Sequence, residues 1–209
     1  GFAEVDEGIS QALFSEFFVK NKIKTERTLL VLEFEKGYAI NVRAHPSLLR
    51  PSHFFLHLKQ SNYQSLKGLV DYYIDSQKSL KGWSECPSDL KKYDFFLNKV
   101  ATDFATMASV FESEYIFCWL DWDGDHILMD GSIIDYGSLR HFGMFHADYR
   151  YDDVERFSTS ILEQRDKAKH IVQCFAQLID YVKTKDKKNL KSFKDSKSLK
   201  VFDNMLRYL

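Results

Sequence analysis

The sequence predicts an α+β chain, a small antiparallel sheet followed by a mostly helical bulk. Three observations lead there. A helical apolar repeat opens the chain, two β-rich runs follow around a glycine turn, and long amphipathic stretches fill most of the rest, broken by one short acidic hairpin. With 209 residues, 44% hydrophobic and 15% aromatic, the chain can fill one large core or two small lobes.

Residues Val5–Lys20 put Val5, Ile9, Ala12, Leu13 and Phe17 on one helical face, and Asp6 and Glu7 suit the positive end of a helix dipole. Arg27–Glu35 and Tyr38–Arg43 are β-rich runs joined by Lys36-Gly37, a hairpin signal. After Pro46 and Pro51 the chain reads as helix again over Tyr63–Ser76, then as a loop over Lys78–Asp89, where Gly82 and Pro87 fall. Tyr93–Glu112 reads as a helix whose Phe and Tyr stripe is core. Tyr115–Gly137 reads as a strand, a polar turn and a tight hairpin about Asp130-Gly131. Ile161–Lys183 is another amphipathic helix, Lys183–Lys200 a solvated basic connector, and Val201–Leu209 a closing helix. That order is the order of a protein-kinase-like fold. Residues 1–58 then form the remainder of a small lobe with its hinge, and residues 59–209 a helical large lobe carrying the catalytic hairpin at 117–137.

Charge and composition exclude several classes of function. The formal net charge is −1, which offers no electrostatic attraction to nucleic acid or anionic lipid. No apolar run approaches the roughly 18 residues that span a bilayer, and the first residues lack the basic-then-apolar layout of a signal peptide. Three cysteines, Cys86, Cys118 and Cys174, form no CxxC pair, which argues against a disulfide framework or a thiolate zinc site and for a reducing, cytoplasmic compartment. The seven histidines form no ligand pair of the HExxH kind.

Chemistry concentrates between Asp121 and Gly137. Five acids (Asp121, Asp123, Asp125, Asp130 and Asp135) fall within fifteen residues, interleaved with β-formers. A carboxylate just past a buried strand and followed by glycine can hold Mg²⁺ against phosphate oxygens, because Mg²⁺ takes one or two carboxylates and completes its shell with substrate and water. Asp135-Tyr136-Gly137 has the form of the kinase Asp-Phe-Gly metal site with Tyr for Phe. A calcium loop or a plain acidic turn is the competing reading, although the EF-hand pattern and its closing Glu are absent. Upstream, Arg43 and Arg50 bracket a Pro-Ser turn directly after the second strand, where two guanidiniums can converge on phosphate through forked hydrogen bonds.

These segments resemble the selenoprotein O family. Arg43-Ala-His-Pro-Ser-Leu-Leu-Arg50-Pro-Ser-His-Phe is similar to that family's Arg-Val-Ala-Pro-Ser-x-Ile-Arg-Phe-Gly-x-Phe. Ile9–Arg27 resembles its helix Ile-Arg-Glu-Phe-Leu-x-Ser-Glu-Ala followed by Gly-Ile-Pro-Thr-Thr-Arg. Asp125–Gly137 is similar, without a gap, to Asp-Asn-Met-Ser-Ile-x-Gly-x-Thr-Ile-Asp-Tyr-Gly, and Arg156-Phe157-Ser158 echoes a Gly-Arg-Tyr-Ser/Ala segment. The resemblance covers about residues 1 to 175. It implies a pseudokinase fold that binds ATP in reversed orientation and transfers AMP to protein hydroxyls. On that reading Arg43 and Arg50 grip the phosphates, Asp135 holds Mg²⁺, and Asp125 stands at the catalytic carboxylate.

The chain departs from the family pattern at several positions. His126 occupies the place of the metal-binding Asn, which shifts the expected preference toward Mn²⁺. Gln11 stands where the family has the helix Glu that pairs with a phosphate-contacting Lys; that Lys belongs upstream of Gly1. Counting back five residues from His126 reaches Asp121, the spacing of the kinase catalytic Asp. Three readings follow: AMP transfer through Asp125, phosphoryl transfer through Asp121, and a non-catalytic pseudokinase that senses nucleotide or acts as a scaffold. ATP, Mg²⁺ or Mn²⁺ and a protein substrate are the implied ligands. His45, His53 and His57 are expected to support the loop after Arg43.

Overall fold

A computed structural model describes residues 3–35, 37–80, 82–114, 116–117, 120, 122–134, 136, 140–141 and 161–208. The chain is α+β, as the sequence predicts. A short strand β1 (Ala3–Glu4) leads into helix α1 (Val5–Lys20), then strands β2 (Arg27–Glu35) and β3 (Tyr38–Ala44). Helices α2 (Pro51–Lys59), α3 (Tyr63–Ser79) and α4 (Lys91–Ser113) follow, then β4 (Ile116–Phe117) and β5 (Arg140–His141). Helix α5 (Ile161–Thr184), a 3-10 turn over Leu190–Phe193 and helix α6 (Lys197–Tyr208) complete the described chain.

The first sheet is antiparallel with strand order β1-β3-β2. Gly37, in the left-handed region at φ +87°, supplies the turn between β2 and β3. Helix α1 has the predicted bounds, yet it packs through a face the apolar repeat does not mark. Gly8, Gln11, Ser15 and Phe18 are buried, whereas Ile9, Leu13 and Phe17 lie exposed on the opposite side. The cause is close approach. A Cβ at Gly8 would collide with Asn41 and stand 2.7 Å from Val31, so glycine lets the helix settle on the sheet. There the Gln11 amide accepts from Asn41 at 3.2 Å and the Ser15 hydroxyl accepts from the Thr28 amide at 3.1 Å. Leu30 stands opposite Val42 and Leu32 opposite Ile40, and all four are exposed.

The helical bulk holds the core. Phe54 of α2 meets Phe175 of α5 at 5.7 Å and Phe96 of α4 at 6.3 Å, and Phe96 meets Phe175 at 5.8 Å. Edge-on and tilted ring packing of this kind adds to plain area burial. The predicted aromatic stripe of α4 is buried at Tyr93, Phe96, Phe104 and Phe111. Helix α2 is absent from the sequence reading. Pro51 occupies its first turn, where a missing N–H costs nothing, and the His53 ring Nδ1 accepts from the Arg50 amide at 3.1 Å. Phe54, Phe55 and Leu58 enter the same continuous core as Phe18 and Ile23. The basic connector is largely exposed, as expected, but Lys187 caps the end of α2 by donating to the Leu58 carbonyl at 2.7 Å.

Among the described residues no helix is long and apolar enough to cross a membrane. Cys86 and Cys174 are free thiols, and Cys118 lies outside the described residues.

Candidate functional site

Backbone hydrogen bonds draw three distant segments together. The Glu26 amide donates to the Ile133 carbonyl at 3.3 Å, the Ile133 amide to the Lys24 carbonyl at 3.1 Å, and the Met129 amide to the Leu49 carbonyl at 3.0 Å. The late hairpin is thereby pinned both to the entry of β2 and to the loop after β3. Its own turn is the predicted one. Gly131 has φ +79°, and the Leu128 amide donates to the Ser132 carbonyl at 2.9 Å. A Cβ at Gly131 would lie 3.0 Å from the Asp103 carbonyl, so the turn also presses against α4.

Two guanidiniums meet this seam. Arg50 donates from Nη1 to the Asp125 carbonyl at 3.0 Å and lies 3.3 Å from its carboxylate Oδ1, which also accepts from the Ser52 hydroxyl at 2.8 Å. Burial pushes the Asp125 carboxyl up, but the Ser52 hydroxyl and the Arg50 charge outweigh it and hold the carboxyl below its ordinary range. Arg43 instead pairs with buried Glu26, Nη1 to Oε1 at 3.0 Å. The Tyr136 hydroxyl donates to the Glu26 carbonyl at 3.2 Å and makes a short contact with the Thr25 hydroxyl. Burial pushes the Tyr136 phenol up to about 12.

A third connection runs through His45. Its Nδ1 lies 2.7 Å from the Ser47 carbonyl, and its Nε2 lies 3.1 Å from the Ser132 hydroxyl and 3.4 Å from Asp130. Burial opposes charge on the ring, yet the hydrogen bond and charge of Asp130 prevail and raise its pKa. Asp130, pushed up by burial and pulled down by His45, ends at about 2. Lys24 adds a bond to the Asp130 carbonyl at 2.9 Å and an ion pair with Asp103 at 3.0 Å.

Of the residues singled out from sequence, the described chain thus joins Arg50 to Asp125 and places Arg43 one residue, Glu26, from Tyr136. Gln11 lies apart from them, its amide engaged by Asn41 and Glu7 between α1 and the sheet. His126 sits at the foot of the hairpin, its carbonyl accepting from the Ile134 amide at 3.4 Å. Asp121, Asp135 and Arg156-Phe157-Ser158 lie outside the described residues. Glu26, Ser52 and the His45–Asp130 pair were not read from sequence. Only Glu26 had a usable signal, an acid at the entry of an apolar strand, which needs a cation if buried.

No group of three or more His, Cys, Asp or Glu arranged to hold a metal occurs among the described residues. Of the two expected metal ligands, Asp135 lies outside the described residues, and His126 by itself fits only the mode in which substrate oxygens and water complete most of a Mg²⁺ or Mn²⁺ shell. No family model matches this chain, and no curated protein matches it.

Proposed function

We propose that this chain adopts a protein-kinase-like fold of the selenoprotein O type, binds ATP with Mg²⁺ or Mn²⁺, and transfers AMP to hydroxyls of a protein substrate. The observation that carries the reading is the Arg50–Asp125 pair. A guanidinium from the loop after β3 and a carboxylate from the late hairpin, 75 residues apart in sequence, are in direct contact. The order of elements and the ungapped likeness of Asp125–Gly137 to the family pattern support it further. A cytoplasmic, reducing setting accords with the free thiols Cys86 and Cys174.

In the transfer, a substrate hydroxyl oxygen bonds to the α-phosphorus, the bond to the β-phosphate oxygen breaks, and pyrophosphate leaves. Mg²⁺ or Mn²⁺, when bound, would supply charge neutralisation at the phosphates, with Asp135 and His126 as the residues that would hold it. Arg50 grips phosphate through its fork, and in doing so it leaves Asp125. The exchange matters chemically. With Ser52 and Arg50 beside it, Asp125 is a weak base; when the guanidinium turns to phosphate, one of those two influences is removed and its pKa rises from the lowered value. Arg43 is held by Glu26, and it reaches phosphate only if that pair opens.

ATP labelled on the α-phosphate and ATP labelled on the γ-phosphate, each incubated with the protein and a cell extract, test the proposal. Label from the α-phosphate on protein is expected, lost in Asp125→Asn. Label from the γ-phosphate would instead favour kinase-type transfer through Asp121, and no transfer of either label would remove catalysis.

A non-catalytic nucleotide-sensing or scaffold role is the second reading, favoured by a specific observation. Gln11, at the place of an ion-pairing Glu, is engaged by Asn41, and Arg43 is neutralised by Glu26.

A further inference from the structure

A cavity of about 530 Å³ opens where α2, α5, the 3-10 turn and the Trp122-Asp123 turn come together. That volume lies within the roughly 300–1,000 Å³ of small-molecule sites. It is separate from the Arg50–Asp125 seam, although Asp123 stands only two residues before Asp125. We infer that this cavity is a binding site for a flat apolar anion, an aromatic carboxylate or sulfonate.

Its walls and its charge both point there. Phe55, Leu58, Trp122 and Leu190 provide apolar and aromatic surface, the kind of lining that takes up an unsaturated ring. Two ammonium groups stand at the cavity with no carboxylate partner among the described residues. Lys59 is exposed and forms no ion pair there, and Lys187 bonds only neutral oxygens, the Leu58 carbonyl at 2.7 Å, the Ser61 hydroxyl at 3.1 Å and the Lys59 carbonyl at 3.4 Å. Against these two positive charges the lining holds one acid, Asp123, leaving an excess positive charge for an anion. The Asp123 Oδ1 is buried without a hydrogen-bond partner among the described residues.

The cavity also contains Cys174, whose thiol lies 3.5 Å from the His170 ring Nε2. The pair resembles a nucleophile and its base, but burial lowers the His170 pKa and pushes the Cys174 thiol up to about 11 even with Lys59 nearby. Both groups are neutral near pH 7, so the pair lines the cavity and does not attack. Cys174 then serves as a reporter of occupancy.

1-Anilinonaphthalene-8-sulfonate, an aromatic sulfonate carrying an N–H, is the probe. Titration into the wild type should give one saturable site, and bound probe should slow alkylation of Cys174 by N-ethylmaleimide at least severalfold, read by peptide mass. Lys59→Glu, on an exposed position, should weaken the site about tenfold or more by reversing one charge. Cys174→Trp should abolish it by filling the space. Leu32→Lys, on the exposed sheet face where the probe can also adsorb, should leave it unchanged. Unaltered affinity in Lys59→Glu, unprotected Cys174, or loss confined to Leu32→Lys would overturn the assignment. None of these readouts depends on ATP.

Discussion

His45 holds a carbonyl, a hydroxyl and a carboxylate at once, and so ties the loop after β3 to the late hairpin. Its raised pKa fixes the sign of a pH effect. The pair with Asp130 contributes fully below the ordinary histidine pKa near 6.5 and is lost as pH rises through the higher folded value. Asp130, depressed to about 2, contributes above the ordinary carboxylate range and is lost only as pH falls toward 2. Thermal midpoints should therefore decline between pH 6 and 9 in the wild type, with the slope much reduced in His45→Asn. A slope that persists in the variant would place its origin elsewhere. Gly124 is a second sensitive residue. It has φ +70°, and a Cβ there would lie 2.8 Å from Pro51, so Gly124→Ala should cost roughly 1–3 kcal/mol in denaturant unfolding. At this scale the sequence was partly legible. The acids and arginines stood out by type and spacing, but their partners did not. Nothing local pairs Arg43 with Glu26 or His45 with Asp130; the fold brings them together across 17 and 85 residues.

At the scale of elements, bounds were easier to read than faces. The limits of α1, β2 and β3 follow from periodicity and from Gly37, which adopts the left-handed conformation the turn requires. The packing face of α1 was misread, because small residues at Gly8 and Ser15 allow closer contact than the Ile9–Leu13–Phe17 stripe would. Helix α2 was missed since Pro46 and Pro51 read as turn residues, whereas a proline in a first helical turn is compatible with helix. These facings set mutational costs. Leu13→Gln and Leu32→Thr, both on exposed positions, should change stability by no more than about 0.5 kcal/mol. Phe54→Ala and Phe175→Ala, fully buried among other rings, should each cost about 3–5 kcal/mol. Equal costs in the two sets would mean that the apolar faces of α1 and the sheet are covered in solution.

The whole molecule joins a thin sheet-and-helix unit to a well-filled helical one. Side chains such as Leu29, Leu30, Phe34 and Ile40 are exposed in the first, while α3, α4 and α5 carry most of the continuous core of the second. The two units meet through the ion pairs Arg50–Asp125 and His45–Asp130 and through apolar packing as well, with Phe14 and Phe18 of α1 against Tyr136 at ring separations of 6.0 and 5.7 Å. Half-exposed ion pairs such as Arg50–Asp125 are where a phosphate-bearing ligand can replace an internal pair with its own. The coarse architecture was legible because helical and strand periodicities are local. Where the units meet, the family resemblance put Arg50 and Asp125 at one site, whereas the His45–Asp130 pair had no signal in the sequence. Calorimetric titration of ATP with Mg²⁺ into the wild type and Arg50→Ala tests the central claim most directly. Saturable binding at one site, weakened tenfold or more in the variant, is the predicted result, together with about 2.7 kcal/mol of added stability at a hundredfold excess over Kd. Heat flow indistinguishable from dilution, or binding that Arg50→Ala leaves unaltered, would contradict it.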